Sequence, residues 1–238
     1  MEQEENIYEQ GQVLLINKPY DWTSFDVVRK IRGILKIRKI GHAGTLDPLA
    51  SGLLILCTGK FTKKINDYMA AEKEYIGSFT LGASTVTYDL ESEPENQQPT
   101  EQITPEQIHA ATAPFTGEVM QVPPMHSAIK KDGKRIYKLA RKGKEIELEP
   151  RKIFIKEFEI VAIEMPVVHF RIVCSTGTYI RSIANDFGKQ LGCGAYLSGL
   201  IRTRIGEFLL KDAVEITSFT PGMEPEASRH TYVLKHKK

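Results

Sequence analysis

Hydrophobic positions along the chain change period from one stretch to the next, and the changes mark out its elements. Val27, Val28, Ile31, Ile34 and Leu35 recur at the three-and-four spacing of a helix, leaving Arg29, Lys30, Arg32 and Lys36 largely on the opposite face. Thr23-x-x-Asp26 just before them has the form of a capping box. Gln12 to Ile16 reads as a short strand broken by Lys18-Pro19, and the unbroken apolar run Leu53 to Cys57 reads as a buried strand. Glu74 to Leu81 alternates, with Tyr75, Gly77, Phe79 and Leu81 on one face. Thr104-Pro105-Glu106-Gln107 supplies an N-cap, a proline at the first helical position and a capping-box glutamine for a helix to about Ala113. Ile153 to Ile163 and Val167 to Cys174 alternate as an antiparallel pair joined around Pro166. From Tyr179, the series Ile180, Ile183, Ala184, Phe187, Leu191 is helical and stops at Gly192. Strands and helices alternate without a regular βαβ rhythm, internal repeat or heptad, so the expected class is α+β with a mixed or mostly antiparallel central sheet flanked by helices and loops.

Charge alters this picture more than composition does. The net charge is only +2, yet Asp89 to Glu106 holds six acids and no base, whereas Lys130 to Lys144 holds eight Lys or Arg against Asp132 alone. Arg29 to Lys39 adds six more bases. Two basic tracts on a nearly neutral chain suit a phosphate-binding surface, and equally a pair of solvated helix faces. Residues 89 to 103, acidic and rich in Pro, Gln and Glu, read as an exposed loop. The longest apolar runs fall well short of the ~20 residues of a membrane span, and the acidic start MEQEENIYEQ is unlike a secretory signal. Three cysteines, Cys57, Cys174 and Cys193, form no C-x-x-C pair. That pattern argues against a disulfide framework or a zinc site, and a cytoplasmic location is expected.

Cofactor chemistry finds little support in the motifs. Gly59-Lys60 lacks both the earlier glycine and the following Ser or Thr of a phosphate-binding loop. No G-x-G-x-x-G, H-E-x-x-H or zinc-deaminase pattern occurs. Groups that work unaided remain, and Asp47 is the sharpest. In GHAGTLDPLASG it is the one acid, placed between Gly44 and Gly52 and before Pro48, which disfavours helix at Asp47. A turn presenting one side chain would use these residues, as would an ordinary Asx-turn. In Thr176-Gly177-Thr178-Tyr179-Ile180-Arg181 a strand ends, a glycine turns and a helix begins, with Tyr179 and Arg181 in its first turn. Arg181 could hold a buried carboxylate by a forked hydrogen bond, or be a surface arginine at a helix start.

Taken together, these stretches resemble the bacterial tRNA pseudouridine-55 synthases of the TruB type. GHAGTLDPLASGLL is similar to the family's hallmark around its catalytic aspartate, and Lys18-Pro19 to its N-terminal element. Lys73-Glu74-Tyr75 with Leu81-Gly82 is similar to the strand bearing its active-site tyrosine. Gln121-Val122-Pro123-Pro124 through Ser127-Ala128 to Tyr137-Lys138-Leu139-Ala140-Arg141 gives a fourth match, and Gly177 to Ser182 a fifth, all in family order. Two departures stand out: Val86 replaces the first Asp of the family's Thr-Asp-Thr-x-Asp, and His126 replaces an aromatic.

The resemblance implies the pseudouridine synthase fold and a cofactor-free, metal-free isomerisation of the T-loop uridine of tRNA. Asp47 would be the nucleophile, ionised at neutral pH without a general base since carboxylates have a reference pKa of ~3.9. Arg181 would pair with Asp47 and Tyr75 would stack on the target base, while His42 would contact RNA at the gap left by the flipped nucleotide. Tyr179 and Leu200 would line the uracil pocket, and Lys18, Lys130, Lys131 and Arg141 would bind substrate. A catalytic domain over 11–212 is expected, with a basic RNA-binding segment at about 124–150, between an acidic tail at 1–10 and a short tail at 213–238. The additional RNA-binding domain of longer relatives is not expected. The partner implied is the tRNA T-arm, with no membrane, no protein partner and a monomeric state. A non-catalytic RNA-binding or RNA-folding protein on the same scaffold is the competing reading; it would be free to lose Asp47, Tyr75 and Arg181. A sugar hydrolase is disfavoured, because no second carboxylate lies in the matching motifs.

Overall fold

The computed structural model describes residues 6–127, 130–131, 134–135 and 148–221. The chain divides into two compact units, 1–73 with 201–238, and 74–200.

The first stretch of chain contains α1 (Ile7–Gln10), β1 (Val13–Lys18), α2 (Ser24–Leu35), β2 (Ile40–His42), β3 (Ser51–Thr58) and α3 (Ile65–Ala70). Next come β4 (Lys73–Leu81), α4 (Pro105–Ala110), β5 (Gly117–Gln121), a short pair β6 (Lys130–Lys131) and β7 (Lys134–Arg135), β8 (Arg151–Glu164), β9 (Val167–Cys174) and α5 (Ile180–Leu191). The described chain closes with β10 (Ala195–Ile205), β11 (Phe208–Leu209) and β12 (Val214–Glu215).

In the first unit the strand order is β12-β1-β3-β10, with β2 on β3 and β11 on β10. β1 and β3 are antiparallel, from Val13 opposite Cys57 to Lys18 opposite Gly52, whereas β3 and β10 run parallel. Both faces of β1 and β3 are covered, which is why their residues form apolar runs without alternation. Leu14, Ile16, Leu54 and Leu56 face the Val27, Val28, Ile31 and Leu35 stripe of α2, while Val13, Leu15, Leu53, Ile55 and Cys57 face Ile205 and Phe208. Each fully buried aliphatic side chain of this kind contributes ~1.5–3 kcal/mol. The α2 capping box forms as its sequence predicts: Asp26 N donates to Thr23 Oγ1 and Thr23 N to Asp26 Oδ2.

In the second unit the order is β10-β4-β9-β8-β5, with β8 antiparallel to both β9 and β5. Phe79 on β4 stacks on Phe170 at 4.2 Å between centroids and packs against Phe158 and Phe187. α4 is capped by Thr104 and Gln107 as expected, and it ends at Ala110. Tyr179 is the extended N-cap of α5 instead of lying in its first turn, and Gly192 closes the helix in the left-handed region. β10, with its two arginines and Gly199, carries no simple alternation and is a finding of the structure. The stretch from 89 is mostly exposed, but Asp89 itself is buried, for the reason given below.

Candidate functional site

Three of the residues singled out, Lys18, His42 and Asp47, lie in the first unit. β2 delivers the chain along β3 as far as His42, and the turn from Ala43 to Ala50 brings it back into β3 itself. The turn is pinned throughout. Ala43 N donates to Ile55 O at 2.9 Å, Leu46 N donates to the buried Ser24 Oγ at 2.9 Å, and Ala50 N donates to Asp47 O at 3.1 Å. Ala43 and Leu46 are buried, so Asp47 is left half-exposed on the outer side of an anchored loop. Gly44 has φ +97, and Gly52 has φ +105 with the place of its missing Cβ 2.4 Å from Arg202 O. No other residue suits Gly52, where β3 meets β10.

Two buried cations clamp this loop by its main chain. Lys18 is 0 % exposed, and its Nζ donates to Pro19 O at 2.9 Å, Trp22 O at 2.5 Å and Pro48 O at 3.2 Å. Burial pulls its pKa down to about 8, a fall that the Asp47 carboxylate partly opposes and the Arg202 guanidinium reinforces. All three of the Lys18 bonds go to carbonyls of the protein's own main chain. On the other side Arg202, 1 % exposed, donates from Nε to Leu53 O at 2.8 Å, from Nη2 to Gly44 O at 3.2 Å and from Nη1 to Thr45 O at 3.4 Å. His42 is half-buried, and burial, then the Arg202 charge, lower its pKa, so the imidazole is neutral at pH 7. Its Nδ1 is buried and has no hydrogen-bond partner among the described residues.

The second unit holds Tyr75, Tyr179, Arg181 and Leu200. Tyr75 lies on the buried side of β4, where Gly77 lets the strand approach Gly199 O; a Cβ at Gly77 would lie 2.2 Å from that oxygen. Leu200 is buried on β10. The fourth and fifth sequence motifs fold onto each other. Gln121 grips the Tyr179 main chain at both ends, accepting from Tyr179 N at 2.8 Å and donating to Tyr179 O at 3.0 Å. Ser182 Oγ donates to Val122 O at 2.8 Å, and Arg181 Nη2 to His126 O at 3.1 Å.

Arg181 is 4 % exposed, with Nε 3.5 Å from the equally buried Asp89 carboxylate and Nη1 donating to Thr87 O at 3.3 Å. Asp89 Oδ1 also accepts from Thr87 Oγ1 at 2.6 Å and Glu91 N at 3.0 Å. A buried carboxylate so bonded is a partner for a buried guanidinium, which removes Asp89 from the acidic loop and removes the surface reading of Arg181. Val86, where the family carries an acid, is 60 % exposed, so the substitution costs this network nothing.

Lys130, Lys131, Lys134 and Arg135 lie in the antiparallel β6–β7 pair, and Arg141 falls outside the described residues. Among the described residues no three His, Cys, Asp or Glu side chains are grouped to hold a metal ion, and no helix is long and apolar enough to cross a membrane. Sequence reasoning assigned no role to Arg202, Gln121 or Asp89. Gln121 and Asp89 sat inside quoted motifs and Arg202 two residues after Leu200, and that proximity was the available signal.

Comparison with known proteins bears on the same residues. Residues 32–180 match the model of the TruB family pseudouridylate synthase, N-terminal domain. The tRNA pseudouridine synthase B of Flavobacterium johnsoniae is 52% identical over 224 residues, covering 91% of this chain and 98% of that protein. That of Phocaeicola vulgatus is 47% identical, covering 92% and 96%. Among solved structures, a chain of a Cbf5-Nop10-Gar1 complex superimposes with TM-score 0.69 at 30% identity, covering 88% of this chain and 53% of that one. A chain of an H/ACA RNP bound to a substrate RNA containing 2'-deoxyuridine gives 0.67 at 28%, covering 90% and 54%. The chain therefore spans about half the length of those two, whereas it spans nearly all of its bacterial relatives. An α+β fold shared with these proteins, and a sequence match running through the Asp47 turn, β4 and the start of α5, lead to one conclusion: the chain belongs to the TruB family of pseudouridylate synthases.

Proposed function

We propose that the protein isomerises uridine to pseudouridine in tRNA, at position 55 of the T-loop, with Asp47 as nucleophile. The observation that carries this reading is the Asp47 turn, where the carboxylate is half-exposed on a loop whose backbone is fixed by Lys18, Arg202 and Ser24. Such fixing supplies the preorganisation that a nucleophile needs, since the carboxylate loses little freedom on reaching the reacting geometry. The bacterial relatives named tRNA pseudouridine synthase B support the choice of tRNA.

The reaction breaks the bond from uracil N1 to ribose C1′ and joins C5 to C1′. The C5 proton leaves, N1 ends protonated, and the composition is unchanged, so no oxidant, reductant or cofactor enters. Tyr75 offers an aromatic face for the flipped base, worth ~1–3 kcal/mol against the cost of unstacking it. Arg181, locked by Asp89, offers a fixed positive charge, and the neutral His42 beside the turn offers a polar edge for RNA. The basic segment with Lys130, Lys131 and Arg141 takes phosphates without reading sequence.

The test is incubation of the purified protein with unmodified tRNA transcript and mapping of pseudouridine. Product at the T-loop uridine is expected. Asp47→Asn should abolish it while leaving tRNA binding nearly intact, and near wild-type turnover by that variant would overturn the assignment.

A further inference from the structure

The exposed face of α2 has features that the fold does not use. All six bases between Arg29 and Lys39 are exposed, and no acid occurs from Val27 to Leu46. Asp26, at the start of the helix, is committed to the capping box and to Arg29 at 2.8 Å. Ahead of these charges in the sequence stand two large exposed aromatics, Tyr20 at 55 % and Phe25 at 58 %. A groove of about 650 Å³ lies between the Asp21–Trp22 turn and the Asp26, Lys30, Gly33 and Ile34 flank of the helix.

Gly33 is the independent clue. A glycine inside a helix weakens it relative to alanine. Neither packing nor conformation requires it here: φ is ordinary, and a Cβ at Gly33 would meet nothing within 4 Å. The helix backbone is therefore bare and open at this point, and something from outside could approach it closely. The groove is also joined to the catalytic turn. Asp21 N donates to Pro48 O at 2.9 Å, and Lys18 Nζ reaches both Trp22 O and Pro48 O, so the groove wall and the residue after Asp47 are one fixed piece.

We propose that this face of α2 is a second RNA contact, holding the sugar-phosphate backbone of the same tRNA outside its target nucleotide. Lys30 and Arg32 meet phosphates, Tyr20 and Phe25 meet a sugar or an unstacked base, and Gly33 admits the strand close to the helix. Asp21 and Asp26 also line the groove, but Asp26 is taken up by Arg29, whereas Lys30, Arg32, Lys36, Arg38 and Lys39 form no ion pair among the described residues. Five exposed bases preceded by exposed aromatics suit a nucleic-acid backbone, and a protein partner would leave that excess of positive charge unexplained. The inference rests on the proposed tRNA substrate.

The chain has one tryptophan, Trp22, and it lines the groove, so its fluorescence reports occupancy directly. Full-length unmodified tRNA transcript is titrated into the wild type, into the triple variant Phe25→Ala, Lys30→Gln, Arg32→Gln, and into Gly33→Gln, each checked for folding by circular dichroism. Gly33→Ala serves as a helix control and should raise Tm. Wild-type Trp22 emission should change on binding. The triple variant should bind about tenfold more weakly with a log–log salt slope shallower by ~2, and kcat/KM should fall in step with Kd. Gly33→Gln should bind at least threefold more weakly although its helix is strengthened. Binding and salt slope within twofold of wild type in the triple variant overturn the proposal, as does a fall in kcat at unchanged Kd. Unaltered RNA binding together with loss of self-association would assign the face to a second copy of the chain and also overturn it. Wild-type protein that binds tRNA but forms no pseudouridine would strike the proposed reaction instead, and the Trp22 response would still judge this contact.

Discussion

Replacing Arg202 by methionine removes a guanidinium whose every bond goes to a carbonyl of the Asp47 loop or of β3. A charge-assisted hydrogen bond of this kind contributes ~1.5–3 kcal/mol. The bond to exposed Thr45, at 3.4 Å, is readily replaced by water, so two of the three decide the outcome. Their loss, ~3–6 kcal/mol, is partly offset because a cation no longer has to be desolvated, a cost of several kcal/mol. A net destabilisation of ~2–3 kcal/mol should follow, read as a lowered urea midpoint at unchanged m value. Activity should suffer more than stability, because the freed Gly44 and Thr45 carbonyls let the Asp47 turn drift, and misplacement by ~1 Å costs ~10²-fold in rate. Arg202→Lys keeps the charge but loses the fork, and should fall between. Single-turnover pseudouridine formation at saturating tRNA reads this out. A methionine variant that folds and turns over within twofold of wild type, or that is impaired only in KM, would refute the claim that Arg202 positions the turn.

Other expectations can be checked with the same assays. Asp89→Asn leaves Arg181 buried without its carboxylate and should cost ~3 kcal/mol in chemical denaturation; a change below ~0.5 kcal/mol would mean the pair is not a structural unit. Gly188→Ala places a Cβ 2.0 Å from Ala195 N and 2.3 Å from Gly194 C, both backbone, so α5 must move off β10 and Tm should fall by several degrees. Lys18 has a folded pKa of about 8 against an ordinary 10.5. Folding therefore bears the full penalty of its charge below about pH 8 and is relieved of roughly 3 kcal/mol as pH rises from there to 10.5. The neutral amine, however, has one proton fewer for three carbonyls, so kcat should decline around pH 8 while stability from this group rises; a flat kcat from pH 7 to 9 would contradict it.

What could be read in advance was local. The capping boxes at Thr23 and Thr104 need only four consecutive residues, and the β8–β9 pair needs only alternation, so both were legible. Asp47 stood out in the sequence as the one acid among glycines and a proline, a pattern that an ordinary Asx-turn shares. Long-range compensation was not. Asp89 looked like a solvated acid until Arg181 came to it, and the nearby Thr87 carbonyl that Arg181 also binds is 94 residues away in sequence. The clamp that Lys18 makes was not legible either, because a buried lysine can be recognised only when its carbonyl partners are known. β10 went unseen because Arg202, by its letter a surface residue, lies on the inside of a strand.

The manner in which the Asp47 turn is held has a consequence for engineering. Lys18 and Arg202 grip carbonyl oxygens, which every amino acid supplies, so side chains at Thr45 and Leu49 can be exchanged with little effect on the loop's shape. Conversely, GHAGTLDPLASG is not a portable cassette. Grafted into another scaffold without a lysine at the end of a neighbouring strand and an arginine reaching in from the opposite side, it would be a flexible glycine-rich linker carrying an ordinary aspartate.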